Sequence, residues 1–144
     1  MYPDSEPVEN GPLKPVMTLK ARVSQVRNLP KGATVSYGRT YHAEEGITSA
    51  VIPAGYADGY PRRLSGNTTV TIRGKRYPQV GRICMDMCMA NITGADDVQR
   101  GDEVTLIGGD SITWEEAAQK VGTINYELTC LITARTRRIY VNED

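Results

Sequence analysis

From Met17 to Val26 apolar residues fall on alternate positions: Met17, Leu19, Ala21, Val23, and then, one step out of phase, Val26. Alternation with period two marks a half-buried strand. The phase slip places a bulge near Gln25, in a strand running to Leu29. Pro30-Lys-Gly32 reads as a turn. Further strands are expected at Thr34–Tyr37, Ile47–Ile52, Thr68–Ile72, Arg76–Val80, Cys84–Ile92 and Glu103–Ile107. Arg73-Gly74-Lys75 joins two of these as a short hairpin, because glycine tolerates the positive φ of tight turns. Gly101-Asp102 and Gly108-Gly-Asp110 punctuate the others.

Helical signals come late in the chain. Thr113-Trp-Glu-Glu116 matches a capping box, in which the threonine oxygen and the glutamate carboxylate satisfy opposite backbone donors. Glu116 and Lys120 are spaced i, i+4, and Gly122 is a C′ residue for the same helix. A second short helix is expected from Asn125 to Thr133, followed by a last strand at Arg138–Val141. Many short strands with turn signals, then one or two short helices near the C-terminus, predict a mainly β fold, a β-barrel or a closed sandwich. Residues 1–15 carry Pro3, Pro7, Pro12 and Pro15 among acids and glycine, and show no core-forming pattern. The expected division is a linker or disordered segment over 1–12 and one β-domain over 13–144.

Composition narrows the function classes. The 144 residues fit one domain, and a chain of this size buries roughly 68–70% of its unfolded surface without help from disulfides or metals. Seventeen basic side chains balance seventeen acidic ones, which argues against a nucleic-acid or anionic-membrane surface. No apolar run approaches the ~20 residues of a membrane span, and no secretory signal opens the chain. Cys84, Cys88 and Cys130 are an odd count, expected as free thiols in a reducing cytoplasm. Eight Tyr and one Trp stand beside no Phe, so the aromatics bring hydroxyls that need partners when buried. Tyr2, Tyr41, Tyr77 and Tyr140 are expected half exposed on the sheet.

Several chemistries lack their parts. His42 is the lone histidine and no nucleophile elbow is present, so no Ser-His-Asp or Cys-His site is built here. Cys84-x-x-x-Cys88 departs from two-residue zinc spacing, and no metal is expected. There is no Walker loop and no dinucleotide fingerprint. Arg135, Arg137 and Arg138 read as a solvated strand end.

Four tyrosine- and methionine-bearing islands remain: Thr34-Val-Ser-Tyr-Gly38, Ile52-Pro-Ala-Gly-Tyr-Ala-Asp-Gly-Tyr60, Val80-Gly-Arg-Ile-Cys-Met-Asp86 and Thr123-Ile-Asn-Tyr-Glu127. On position alone, a tyrosine before Gly38 is structural or catalytic. A free phenol titrates near 10 and becomes a useful base only where cations or donors favour phenolate in a dry site. Met85, Met87 and Met89 either point into the core at strand spacing or line a site.

These islands, in this order, resemble the C-terminal domain of alanine racemase, over about Leu13 to Val141. The resemblance implies a β-barrel-like domain of a larger isomerase. That enzyme would interconvert L- and D-alanine by a two-base mechanism dependent on pyridoxal 5′-phosphate and supply D-alanine for peptidoglycan. The cofactor lysine would stand on an N-terminal (β/α)₈ barrel domain that this chain lacks, and two chains would pair head to tail as a homodimer in the cytoplasm. By motif, Tyr37 is implied as the second acid/base. Tyr56, Arg62 and Arg82 are implied in the substrate channel, and Met85 near the substrate carboxylate through its backbone N–H. Asp86 would orient its neighbours. Tyr126 is implied against the cofactor phosphate, with Ile124 narrowing the channel. The chain alone is then expected to hold no cofactor, to be inactive, and to expose a patch that favours self-association. Two alternatives stay open: a free-standing β-barrel that binds a ligand or protein, and a racemase for another amino acid such as serine.

Overall fold

A computed structural model describes residues 15–141, so the expected 1–12 linker and Tyr2 lie outside the described residues. The strands are β1 (Leu19–Arg22), β2 (Gln25–Leu29), β3 (Thr34–Val35), β4 (Tyr41–His42), β5 (Ile47–Ile52), β6 (Thr69–Ile72), β7 (Lys75–Val80), β8 (Cys88–Asn91) and β9 (Glu103–Ile107). Helices α1 (Trp114–Val121) and α2 (Asn125–Cys130) follow, and single 3₁₀ turns lie at Tyr37–Arg39, Tyr56–Asp58 and Arg62–Leu64.

Seven strands form one antiparallel sheet in the order β1-β9-β6-β7-β8-β5-β2. Its two edge strands are consecutive in sequence. The continuous strand expected over Met17–Leu29 is therefore two strands, and the irregularity sits at Val23-Ser24. Val23 still bonds toward β9, donating to Asp102 O (2.9 Å) and accepting from Gly101 N (2.8 Å). Ser24 N already donates to Val51 O on β5 (2.9 Å). Within two residues the chain changes partners, which draws the sheet's edges together and curls it into a barrel-like half-cylinder.

The core fills the concave side. Ala50, Ile52, Val70, Ile72, Cys88, Ala90, Val104, Leu106 and Ile107 supply it from the strands, with Tyr60, Leu64, Ile83 and Ile92 from the loops. Burying an aliphatic side chain fully contributes roughly 1.5–3 kcal/mol. On β8 the core set is Cys88, Ala90 and then Ile92, and Met89 is half-buried, so the methionines occupy the opposite phase.

Helix α1 begins as its capping box requires: Glu116 N donates to Thr113 Oγ1 (3.0 Å) and Thr113 N to Glu116 Oε2 (2.7 Å). It ends at Gly122 with φ 76°, in the left-handed conformation glycine favours. Trp114, Ala117, Ala118 and Val121 bury one face, and the Trp114 indole donates to Met17 O (2.9 Å). The β6–β7 hairpin turns through Arg73 (φ 50°) and Gly74 (φ 73°), paired Ile72 to Lys75.

Three expected elements come out shorter by two residues or more and one is absent. The strand expected over Thr34–Tyr37 stops at Val35, and that over Cys84–Ile92 is reduced to Cys88–Asn91 because Cys84 N turns back to Met87 O (2.8 Å). The second helix ends at Cys130 rather than Thr133. Arg138–Val141 forms no strand; among the described residues no strand edge pairs with it, and an unpaired segment cannot make a ladder. Tyr41 and Tyr77 are half-buried, whereas Tyr140 is fully in solvent.

Candidate functional site

The four islands map onto four loops or loop-proximal segments. The first is the turn of the β3–β4 hairpin. Here Ser36 has φ 65° and ψ −179°, a region open almost only to glycine. Gly38 (φ 73°) and Arg39 (φ 49°) follow in left-handed conformations. Tyr37 thus stands between two strained non-glycine residues, and its ring is 74% exposed at the tip of the turn.

Behind that turn lies the β7–β8 loop. Gly81 (φ 70°) packs so tightly on it that a Cβ would stand 2.7 Å from Ser36 Oγ and 3.0 Å from Val35 O. The Ser36 hydroxyl is buried without a hydrogen-bond partner. The Arg82 guanidinium lies over Gly38, with its Cζ 3.4 Å from where a Cβ would be. The turn that carries Tyr37 and the segment that carries Arg82 are therefore in direct contact.

The same β7–β8 loop carries Met85 and Asp86 and meets the turn after β5. Tyr56 N donates to Cys84 O (3.1 Å) and Ala57 N to Met85 O (3.0 Å). These bonds need Gly55, whose Cβ would fall 2.2 Å from Cys84 O and 2.3 Å from Met85 O. Asp58 Oδ2 accepts from Gly55 N (2.9 Å) and holds the turn closed. Tyr56 and Met85 are neighbours for this reason, and both side chains are exposed. Among the described residues, no hydrogen bond engages the Met85 N–H.

The last island is α2. Its end packs on Gly59, where a Cβ would lie 2.4 Å from Leu131 O. Tyr126 and Ile124 are exposed near the start of this helix, and Tyr126 O accepts from Thr129 Oγ1 (2.9 Å). Arg62 is itself exposed, in the 3₁₀ turn whose Leu64 is buried in the core, and its carbonyl accepts from Ser65 Oγ (2.5 Å).

Burial elsewhere sets the chemistry. Cys88 is fully buried, and burial, then the nearby Cys84, pushes its thiol up to about 12. Tyr60, in the second island, is also fully enclosed; burial raises its phenol well above the usual range, so this tyrosine is a core residue. Met85 and Met87, weighed above as core residues, are both solvent-facing.

Arg135 differs from its reading as a solvated strand end. Its Nη2 stands 2.6 Å from Asp86 Oδ1 and its Nε 3.4 Å from Asp58 Oδ1. Nothing in the local sequence signals this pairing, since its partners lie 77 and 49 residues upstream. Ser36 was likewise silent: its role shows only in backbone torsions.

Comparison with known proteins follows the same boundaries. Residues 16–140 match the family model described as alanine racemase, C-terminal domain. The alanine racemase of Desulfovibrio desulfuricans is 49% identical over 129 residues, which cover 90% of this chain and 35% of that protein. Alanine racemase 1 of Clostridium acetobutylicum is 45% identical over 144 residues, covering 97% of this chain and 37% of that protein. The chain thus spans little more than a third of the curated relatives it matches. Among solved structures, the Clostridium difficile alanine racemase in complex with cycloserine superposes with a TM-score of 0.87 at 39% identity, covering 94% of this chain and 36% of that one. The alanine racemase of Streptomyces coelicolor gives 0.85 at 42% identity, covering 91% and 35%. The curled sheet, the four islands and the two late helices accordingly belong to one family, and this chain is a member of the alanine racemase C-terminal domain family.

Proposed function

We propose that this chain is the C-terminal part of a pyridoxal-phosphate-dependent alanine racemase, in which Tyr37 is the acid/base for one face of the substrate. The observation that carries the reading is the presentation of Tyr37. Tyr60 is buried and serves packing, whereas Tyr37 is held out to solvent on a turn that carries backbone strain at Ser36 and Arg39 on either side of it. Tyr56, Met85, Met87, Ile124 and Tyr126 are exposed on neighbouring segments, as expected of a surface covered by another part of the enzyme.

Roles follow from what each group can do. The Tyr37 hydroxyl exchanges a proton with the α-carbon of the bound amino acid. The Met85 N–H, engaged by nothing else among the described residues, donates to the substrate carboxylate. Tyr56, Arg62 and Arg82 line the approach, with the two guanidinium groups drawing in an anionic substrate. Asp86 orients the Met85 loop. When bound, the cofactor serves as the electron sink that makes an α-proton removable. The Tyr126 hydroxyl fits a contact to its phosphate. No lysine lies within 36–39, 55–62, 82–87 or 124–131, so these segments supply no amine to hold the cofactor covalently. That amine belongs to an N-terminal (β/α)₈ barrel, and the active form is a head-to-tail homodimer. The product feeds peptidoglycan synthesis in the cytoplasm. No described helix is long and apolar enough to cross a membrane.

The test uses the full-length parent protein in heavy water, wild type and Tyr37→Phe, following α-deuterium exchange from L- and D-alanine separately. Loss of exchange from L-alanine, with exchange from D-alanine at least partly retained, is the expected result. Wild-type rates from both enantiomers would show Tyr37 to be structural.

A further inference from the structure

Three segments that carry the exposed groups of the site converge on one side chain. Arg135 follows α2, pairs with Asp86 in the β7–β8 loop (2.6 Å) and reaches Asp58 in the turn after β5 (3.4 Å). Its neighbours reinforce the contact: Thr133 Oγ1 donates to Ala57 O (2.9 Å) and Thr136 Oγ1 to Asp58 O (3.1 Å). The other ion pairs among the described residues, Lys20–Glu103 and Arg73–Asp102, tie β1 to β9 and the β6–β7 turn to the start of β9, and touch none of the site segments.

We propose that Arg135 is a positioning residue: its guanidinium, shared by Asp58 and Asp86, latches the Tyr56 turn to the Met85 loop and so sets the distance between the two groups that receive the substrate. The inference rests on the alanine racemase reading for the word substrate, but the latch itself is a property of this fold. A planar guanidinium suits this task, since its separate N–H groups address two carboxylates at fixed angles, which an ammonium cannot. Asp58 is already committed through its other oxygen to Gly55 N (2.9 Å), so movement of Arg135 passes directly to the residue beneath Tyr56. Removing the guanidinium also leaves two carboxylates beside one vacated position, where like charges push the two loops apart. Arg135 and Asp86 are each about half exposed (52%), so the latch is open to screening by salt.

The experiment takes the full-length parent protein as wild type, Arg135→Met, Arg135→Lys and the control Arg73→Met. Amide hydrogen exchange is read at Tyr56 and Ala57, whose N–H groups bond the Cys84 and Met85 carbonyls, and at Thr105 on β9 as a reference. Steady-state kinetics on L-alanine are measured alongside. Arg135→Met should speed exchange at Tyr56 and Ala57 by about tenfold with Thr105 unchanged. KM should rise about five- to tenfold while kcat stays within about threefold, the pattern of lost substrate positioning. Arg135→Lys should show the same pattern at smaller amplitude. Raising salt to about 0.5 M should move wild-type exchange in the same direction, and Arg73→Met should leave both amides and KM alone. Unchanged exchange at Tyr56 and Ala57, or equal acceleration at Thr105, overturns the latch. If the wild-type parent does not racemise alanine while the exchange pattern holds, the latch stands and the substrate reading falls.

Discussion

Replacing Gly55 by alanine isolates the close approach on which the site's geometry depends. Gly55 has φ −148°, an extended conformation any residue adopts, so the penalty is steric alone. The added Cβ would meet Cys84 O at 2.2 Å and Met85 O at 2.3 Å, both backbone atoms that no rotamer change can remove. An ordinary carbon–oxygen contact lies above 3.0 Å, so the loop or the turn must retreat by roughly 1 Å. That retreat stretches the bonds from Tyr56 N and Ala57 N, each contributing a net 0.5–1.5 kcal/mol or so; holding the loop in place instead incurs about 1–3 kcal/mol of overpacking. The two are alternative outlets for one strain, each of about 1–3 kcal/mol, and clashes this severe with two backbone oxygens put the loss in the upper part of that range, at about 2–3 kcal/mol. Gly74→Ala is the matched control: at φ 73° with no atom within 4 Å, it carries only left-handed backbone strain of about 1–2 kcal/mol. Urea unfolding of the 144-residue chain measures both. With a slope of about 1.5 kcal/mol/M, Gly55→Ala should lower the midpoint by about 1.5–2 M, and Gly74→Ala by about half that. Equal midpoints, or a Gly55→Ala protein nearer to wild type than Gly74→Ala, would refute the claim that the Cys84–Met85 backbone is seated on this glycine.

Ser36→Gly should stabilise the chain by about 1 kcal/mol in the same assay, since relief of roughly 1–3 kcal/mol of backbone strain outweighs the greater freedom of an unfolded glycine. In the full-length parent it should lower kcat as Tyr37 loses its aim, and a destabilised Ser36→Gly chain would show the Ser36 torsions to be unstrained. Asp102→Asn tests a carboxylate held below its ordinary range, by its hydrogen bond from Arg73 first and then by that from the Gln99 N–H. Because the folded-state value is depressed, its contribution is complete above about pH 4 and is lost as pH falls through the folded value. The variant should therefore be less stable than wild type at pH 7 and should converge with it as pH falls below the depressed folded-state value, as followed by thermal unfolding.

Much of the fold was legible because its signals are local. Alternation located Ile47–Ile52 and Glu103–Ile107 to the residue, Thr113 and Gly122 bracketed α1 with capping chemistry, and Arg73-Gly74 marked the hairpin. The four islands were legible as motifs of a family. Less legible was whatever depends on a partner far along the chain. The slip after Val23 read as a bulge because periodicity cannot distinguish an extra residue from a change of neighbour; only the curled sheet, with β9 on one side and β5 on the other, makes it a crossover. Arg138–Val141 carries a strand's composition, yet a strand exists only where an edge receives it. Met85 and Met87 kept the phase of a strand that the Cys84–Met87 turn cuts short.

The sequence by itself determined most element types, the caps and turns, and the four motifs that mark the family. Tertiary structure alone decided that Ser36 holds Tyr37 under strain, that Gly55 and Gly81 exist for the contacts beside them, and that Arg135 serves two aspartates rather than the solvent. The physical reason is range: propensities and capping bonds act within a few residues, whereas steric seating and ion pairing depend on where the folded chain brings distant segments together.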